Sequence, residues 1–467
     1  MDQETIDFVN DYVKALKENN AVVFVGAGFS VDAGFFDWKK LLEPLAKKMG
    51  LDIDEEHDLA ALAQYFVDHV GGRGELNQIL VEQYKKFNLT LSEKHRILAR
   101  LPIQIYWTTN FDTLIEQALL EVGKTPDVKK DQNDLSINLP KRDAIVYKMH
   151  GDIGTASETV ITKHDYEDYH KKRELFSNAF KSDLVARTML FIGFSFTDPN
   201  LDYLISRIRT SIGENKKPDY YIIKREGNPN KQRKLDIRAN SLKQYGLRPV
   251  WINDYQEIDL ILKEIEVRYL RSSIFISGSA DVYDPYTQEQ AGEFLHKLSY
   301  TIASNSNRIV SGFGLGIGSA VINGVLDFMQ HQKTQNLDNY LVLRPFPQFI
   351  SVGKTLPALW KEYRKKFIPL AGIAVFVFGN KNGGKTLANG MEQEFTIAHE
   401  KGLSVIPVGA TGFMAEQLWN IVIKDFDTFY PGKTSLKSGF ESLGDKTINI
   451  NDHISTIATI IEHLKNE

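Results

Sequence analysis

The chain contains no cysteine. That excludes disulfides and every zinc site with thiolate ligands, and no metal centre is expected. No stretch approaches the roughly 18–20 apolar residues that a membrane span needs. The opening MDQETIDFVNDYVKALKENN lacks the basic start and apolar run of a signal peptide. A cytoplasmic protein with no membrane contact is the expectation. An excess of one charge is lacking too: 56 Lys and Arg against 60 Asp and Glu leave a net charge of −4, which gives no reason to expect nucleic acid as a partner. A phosphate-bearing ligand would have to be held locally, by glycine turns and a few placed cations.

What is present is length and alternation. A chain of 467 residues exceeds one ordinary core, so two or more domains are expected. Residues 1–20 read as an amphipathic helix with Ile6, Phe8, Val9, Tyr12, Val13 and Leu16 near one face. Apolar runs then predict strands at Ala21–Val25, Ile103–Thr108, Ala144–Met149, Thr188–Phe194, Tyr220–Lys224 and Leu247–Ile252. A helical insert over about 38–100 separates the first two. The basic segment GENKKPDYYIIKREGNPNKQRK reads as a solvated surface loop around its strand. Short apolar strands alternating with helices argue for an α/β fold, a Rossmann-like doubly wound parallel sheet over residues 21–265. The pattern restarts near residue 270. Strands at Ile274–Ser277, Arg308–Val310, Tyr340–Arg344, Ile373–Phe378 and Ser404–Val408 predict a second, smaller Rossmann-like domain over 270–467.

VVFVGAGFSVDAG, from Val22 to Gly34, runs a strand into a glycine turn. Gly26, Ala27 and Gly28 let a backbone approach a pyrophosphate. A hydride-transferring domain would show G-x-G-x-x-G, but Val31 stands at the third position and no strand-ending acid follows about 20 residues on, which disfavours a dehydrogenase. WTTNFD (Trp107–Asp112), KMHGD (Lys148–Asp152) and GFSFTDPN (Gly193–Asn200) also fall at predicted strand ends, where parallel sheets place their ligands. Singly each has a plain explanation, such as helix capping by Asn110 or Asp112, a loop role for His150, or a turn at Asp198.

In that order, Gly26-Ala27-Gly28-Phe29-Ser30, Thr108-Thr109-Asn110-Phe111-Asp112, His150-Gly151 and Gly193-Phe194-Ser195 resemble the motifs of the sirtuin (SIR2) family over roughly residues 20–255. Two departures stand out: Thr109 replaces the family's glutamine, and the four-cysteine zinc ribbon of the protein deacylases is absent. The resemblance implies that the insert takes part of the lid position and that NAD+ is a substrate rather than a cofactor. Gly26, Ala27, Gly28, Ser30, Asp32, Thr109, Asn110, His150, Gly193, Ser195 and Asp198 would hold it, with Asn110, His150 and Asp112 the catalytic candidates. Nicotinamide leaves as a neutral ring, so the site must stabilise a cationic ribosyl transition state and position a water. An NAD+ glycohydrolase is the first reading. A zinc-free deacylase or ADP-ribosyltransferase, and a non-catalytic nucleotide sensor or scaffold, remain open alternatives.

In the second half, VSGFGLGIGSAVINGV sets Gly312, Gly314, Gly316 and Gly318 between a strand and a helix, which suits a phosphate turn or tight strand–helix packing. FISGSA places Ser277, Gly278 and Ser279 at another strand end; Arg344, Arg364, Lys381 and Glu394 lie near others. This half resembles the SLOG family, relatives of the LOG phosphoribohydrolases in which GNKNGGKTLANGMEQE departs from the enzymes' glycine pattern, favouring binding over hydrolysis. A SIR2 domain followed by a SLOG domain resembles the effectors of bacterial Thoeris anti-phage defence. That resemblance implies a signal, a cyclic ADP-ribose isomer made by a TIR-domain partner enzyme. It also implies a homo-tetramer or higher oligomer, and signal contacts at Ser277, Gly278, Ser279, Arg364, Lys381 and Glu394; Gly314, Gly316 and Arg344 are further candidates from their strand-end positions.

Overall fold

A computed structural model of the chain describes residues 1–34, 38–86, 89–194, 217–244, 246–333, 336–349 and 355–466. It divides into two compact units, Met1–Glu266 and Val267–Glu467. None of the described helices is long and apolar enough to cross a membrane.

The first unit is built on a seven-stranded sheet of β1 (Ala21–Val25), β2 (Ile105–Thr108), β3 (Pro126–Lys129), β4 (Ala144–Lys148), β5 (Thr188–Ile192), β6 (Asp219–Lys224) and β7 (Leu247–Ile252). All pairs are parallel, in the order β3-β4-β2-β1-β5-β6-β7. The AVVFV of β1 and the TMLFI of β5 are buried at every position, as strands covered on both faces must be. Chain progression runs outward from β1 on one side through β2 and resumes at β5 on the other. The carboxyl end of β1 is therefore the switch point where such sheets open a crevice. The helix Gln3–Lys17, N-capped by Asp2, buries Phe8, Val9, Tyr12, Val13 and Leu16; the Tyr12 hydroxyl donates to Val22 O of β1 at 3.0 Å. This helix is a layer of the first unit.

Four helices, Trp38–Lys48, Leu59–Phe66, Gly72–Lys86 and Glu93–Arg100, form the insert. Two expectations are corrected. β3 had not been anticipated: PDVK is a short edge strand opening on proline, with half-buried residues at alternate positions, and so lacks the apolar run that marks its neighbours. The basic segment after β6 is a helix, Pro229–Lys243, rather than a loop. Asn228 caps its first amides and Pro229 starts it, while most of its surface faces solvent.

The second unit has five parallel strands: β8 (Ser273–Ser279), β9 (Arg308–Ser311), β10 (Leu341–Leu343), β11 (Ile373–Phe378) and, after a small ribbon of β12 (Asn380–Lys381) and β13 (Thr386–Leu387), β14 (Ser404–Pro407). Their order is β10-β9-β8-β11-β14, so β8 repeats the position of β1. The helices Gln288–Ser304 and Gly318–Gln332 cover the sheet, and Phe413–Lys424 and His453–Asn466 complete the core. The fold is α/β in both units, each a Rossmann-like parallel sheet with flanking helices.

Candidate functional site

The four motif segments of the first unit follow four adjacent strands, β4-β2-β1-β5. Gly26 N–H donates to Ile192 O and Gly28 N–H to Gly193 O, each at 2.9 Å. This approach is so close that a Cβ on Gly26 would lie 2.4 Å from Gly193 O, and one on Gly193, whose φ is +68°, would lie 2.3 Å from Phe29 N. The glycines thus first serve to seat the β1 turn on the end of β5.

Around that turn a chain of hydrogen bonds sets one side chain. Thr108 Oγ1 donates to Val25 O at 2.8 Å and accepts from Asn110 N–H at 2.9 Å. The Asn110 amide donates to Gly26 O at 3.3 Å and to Ser30 Oγ at 3.1 Å. Ser30 in turn donates to Asp112 Oδ2 at 3.0 Å, and Asp112 Oδ1 accepts from Leu114 N–H at 3.0 Å. The Asn110 NH2 is therefore fully engaged, while its Oδ1 is buried with no hydrogen-bond partner among the described residues. Burial pushes the Asp112 carboxyl above the usual carboxylate range, opposed by the Leu114 amide, Lys148, Ser30 and Asn110. Asp112 thus has both oxygens engaged, one by Ser30 and one by the Leu114 amide.

His150 follows β4 and is buried, with Tyr166 and Tyr169 edge-on at ring distances of 5.5 and 6.2 Å. Arg173 holds the backbone behind it, donating to Lys148 O at 3.3 Å and Glu158 O at 2.9 Å. Thr109, half-buried, adjoins Asn110. Asp32 is not drawn into this network: its carboxylate takes Lys94 Nζ at 2.6 Å. Ser195 and Asp198 lie outside the described residues.

Sequence reading missed the supports. Lys148, within KMHGD, carries no motif role, yet its side chain has no exposed surface and lies beneath the Asn110 loop. The i,i+4 spacing to Asp152 was the available signal. The insert enters the site through Phe111, which packs with Leu41, Leu45, Phe66, Leu76 and Leu80 in one cluster. Arg73 ties the same insert to Asp165 at 2.6 Å and to Thr159 O at 2.6 Å. His95 buries its ring against Phe29 at 4.7 Å.

In the second unit, β8 ends in Ser277, Gly278 and Ser279. Ser277 Oγ donates to Glu394 Oε2 at 2.6 Å, and Arg364 Nε donates to Glu394 Oε1 at 3.0 Å. All three side chains are buried. Arg364 also reaches Gln393 Oε1 at 3.3 Å and stacks its guanidinium over Phe346 at 4.7 Å. Burial raises the Glu394 carboxyl, with Arg364 and Ser277 opposing. Gly314 packs against β8 so tightly that a Cβ there would lie 2.0 Å from Gly278 O; Gly316 meets Ala280 O. Lys381 is exposed and bonds Asn389 at 3.1 Å, and Ser279 Oγ donates to Asn380 O at 3.3 Å. Arg344 stands apart, exposed, its guanidinium on its own neighbour's carbonyl, Leu343 O. Gln393, Phe346 and Asn389 carry no sequence signal and join only through the fold.

A parallel sheet with an amide and a serine hydroxyl beside its switch point and an imidazole after β4, followed by a second parallel sheet, fits a SIR2-like domain joined to a SLOG domain. Family models agree: residues 104–250 match the SIR2-like domain, and residues 257–464 match the Sir2- and TIR-associating SLOG family. Over its full length the chain is similar to proteins named NAD(+) hydrolase ThsA. It is 44% identical to that of Cytobacillus dafuensis, covering 98% of this chain and 96% of the relative, and 42% identical to that of Bacillus cereus strain MSX-D12, covering 98% of each. It is 39% identical to that of Enterococcus faecium, covering 100% of each. The chain belongs to the ThsA family.

Proposed function

We propose that the first unit hydrolyses NAD+ to nicotinamide and ADP-ribose. The observation that carries this reading is the buried Asn110 Oδ1, an acceptor left over after the amide NH2 is fixed twice from behind. A buried acceptor without a donor is costly, and a ribose hydroxyl or an attacking water supplies one. The names of the full-length relatives support the same chemistry. The bond from ribose C1′ to the pyridinium nitrogen breaks with its electron pair going to the ring, so nicotinamide leaves neutral. Water oxygen bonds to C1′. Its proton passes to His150 and then to solvent. Asp112 orients Ser30, Ser30 orients Asn110, and Gly26, Gly28 and Gly193 hold the β1 turn tight against the end of β5, beside which the dinucleotide would lie.

The second unit is the sensor in this reading. Arg364 and Lys381 pair with the diphosphate of a cyclic ADP-ribose isomer in charge-assisted hydrogen bonds, with Ser277, Gly278, Ser279 and Glu394 around it. A TIR-domain enzyme supplies that signal on phage infection, the protein works as a tetramer or larger assembly, and the cell loses its NAD+. Arg364 meets Glu394 through Nε and Gln393 through one Nη, so a diphosphate would share its guanidinium with them, and only a ligand preferring one state can activate. The test is to incubate the pure chain with NAD+, with and without cyclic ADP-ribose isomers, and to follow nicotinamide. Release without any acceptor, raised by one isomer, is expected. NAD+ left intact under every condition would remove the hydrolase reading.

A further inference from the structure

The ammonium of Lys148, wholly buried, has two kinds of partner. Two are carboxylates: Asp152 Oδ2 at 2.6 Å and Glu116 Oε1 at 3.3 Å. Two are backbone carbonyls of the loop after β2: Phe111 O at 3.3 Å, and Asp112 O in a short contact. Lys148 is the last residue of β4, two before His150. The loop carbonyls it holds belong to the segment that carries Asn110. A lysine present only to neutralise Glu116 and Asp152 would need no carbonyl contact. Carbonyl contacts fix distance and direction, and here they join the ends of two neighbouring strands.

We infer that Lys148 is a positioning residue that locks the Asn110–Asp112 loop to the strand end carrying His150, so that amide and imidazole address one ribose. The inference rests on the reading of Asn110 and His150 as the reacting pair. Catalytic groups lose rate steeply when displaced by even about 1 Å. The ground-state grip on the dinucleotide belongs mainly to the β1 turn, which Lys148 does not touch. Loss of the lock should therefore appear in kcat and spare KM.

Lys148→Met alone would leave two buried carboxylates short of a cation and can fail to fold. The informative comparison is Glu116→Gln against Lys148→Met/Glu116→Gln. In the first, Lys148 keeps Asp152. In the second, Asp152 keeps Lys130 at 3.3 Å and the Gly154 amide at 2.8 Å. Both are made in the full chain and assayed with NAD+ and the cyclic ADP-ribose isomer that best stimulates the unmodified protein. The double variant should show kcat for nicotinamide release about 30-fold or more below Glu116→Gln. Its KM should stay within about threefold, and amide hydrogen exchange should rise about tenfold over residues 109–114. Equal kcat in the two variants, or unchanged exchange over 109–114, overturns the inference and leaves Lys148 a counter-ion only. If neither the unmodified chain nor Glu116→Gln releases nicotinamide, the hydrolase reading has failed instead. Exchange alone then judges the lock, and no rise refutes it.

Discussion

The carboxyl ends of β1 and β8 meet the same steric demand in the same way and then diverge. In both, glycine removes a Cβ that would collide with a neighbouring carbonyl, Gly26 against Gly193 O at 2.4 Å and Gly314 against Gly278 O at 2.0 Å. Around the first turn the polar side chains form a relay that ends in the Asn110 side-chain oxygen, which has no partner among the described residues. Around the second, the buried charges are closed on one another, Arg364 on Glu394 and Glu394 on Ser277. On the proposed reading, a relay with a spare acceptor would meet a substrate without rearrangement, and such preorganisation is what lowers a barrier. On the same reading, a ligand that takes the remaining donors of Arg364 would share a buried cation with Glu394, and it discriminates between two states only if that sharing differs between them. Two parallel sheets of one architecture would then, on the proposed reading, serve catalysis and sensing through the different satisfaction of the polar groups at their strand ends.

The largest test of this contrast lies in the first unit. Asn110→Ala and His150→Ala should each cut stimulated nicotinamide release by about 10²–10⁴-fold. Calorimetric binding of a cyclic ADP-ribose isomer to the second unit should persist. Residual release near the parent rate would show that the relay is not the reacting centre. Next, Arg364→Ala should abolish stimulation by the isomer. It leaves Glu394 buried without its cation, which should lower the melting transition of the second unit by an equivalent of about 3–5 kcal/mol. Stimulation that survives would mean that the charge pair is structural only.

A smaller effect separates packing from chemistry around the first turn. His95 is buried beside Lys94 and Arg96, and burial first, then those cations, depress its pKa from 6.5 to about 3. The folded state therefore binds fewer protons than the unfolded chain between those values. Stability from this group is complete above about pH 6.5 and is lost as pH falls toward 3, with a slope approaching about 1.4 kcal/mol per pH unit. Melting curves of His95→Gln against the parent should lose that slope; parallel curves across pH 4–7 would count against it. The smallest effect is expected at Asp32. Its carboxylate is more than half exposed and engaged by Lys94, so Asp32→Asn should cost about 1 kcal/mol of stability. Nicotinamide release should stay within about threefold of the parent. A large loss of release would return Asp32 to the ligand.

Much of the fold was open to reading because its signal is local. Fully buried parallel strands are continuous apolar runs, so β1, β5 and β11 stand out with nearly their observed limits. Elements whose burial is partial were lost. The edge strand β3 and the two-residue ribbon of β12 and β13 carry no run long enough to see, and the helices beyond residue 412 carried no motif to draw attention to them. The site divides similarly. Asn110, Asp112, His150 and Ser30 were legible because short motifs sit directly on strand ends. Lys148, Phe111, Arg173 and His95 were not, because their importance lies in what they touch from 15 to more than 60 positions away, as in Arg173 to Glu158 O, Lys148 to the 111–112 carbonyls or His95 to Phe29.

Hydrophobic periodicity and glycine placement, both written in neighbouring residues, determined that this chain forms two doubly wound sheets and that its polar motifs follow their strands. Which strands lie side by side is a property of long-range pairing. Only that pairing put β4, β2, β1 and β5 in register, so that Asn110 is fixed by Gly26 and Ser30 while its side-chain oxygen has no donor among the described residues. Hydrogen bonding acts over about 3 Å, and a sequence contains no distances.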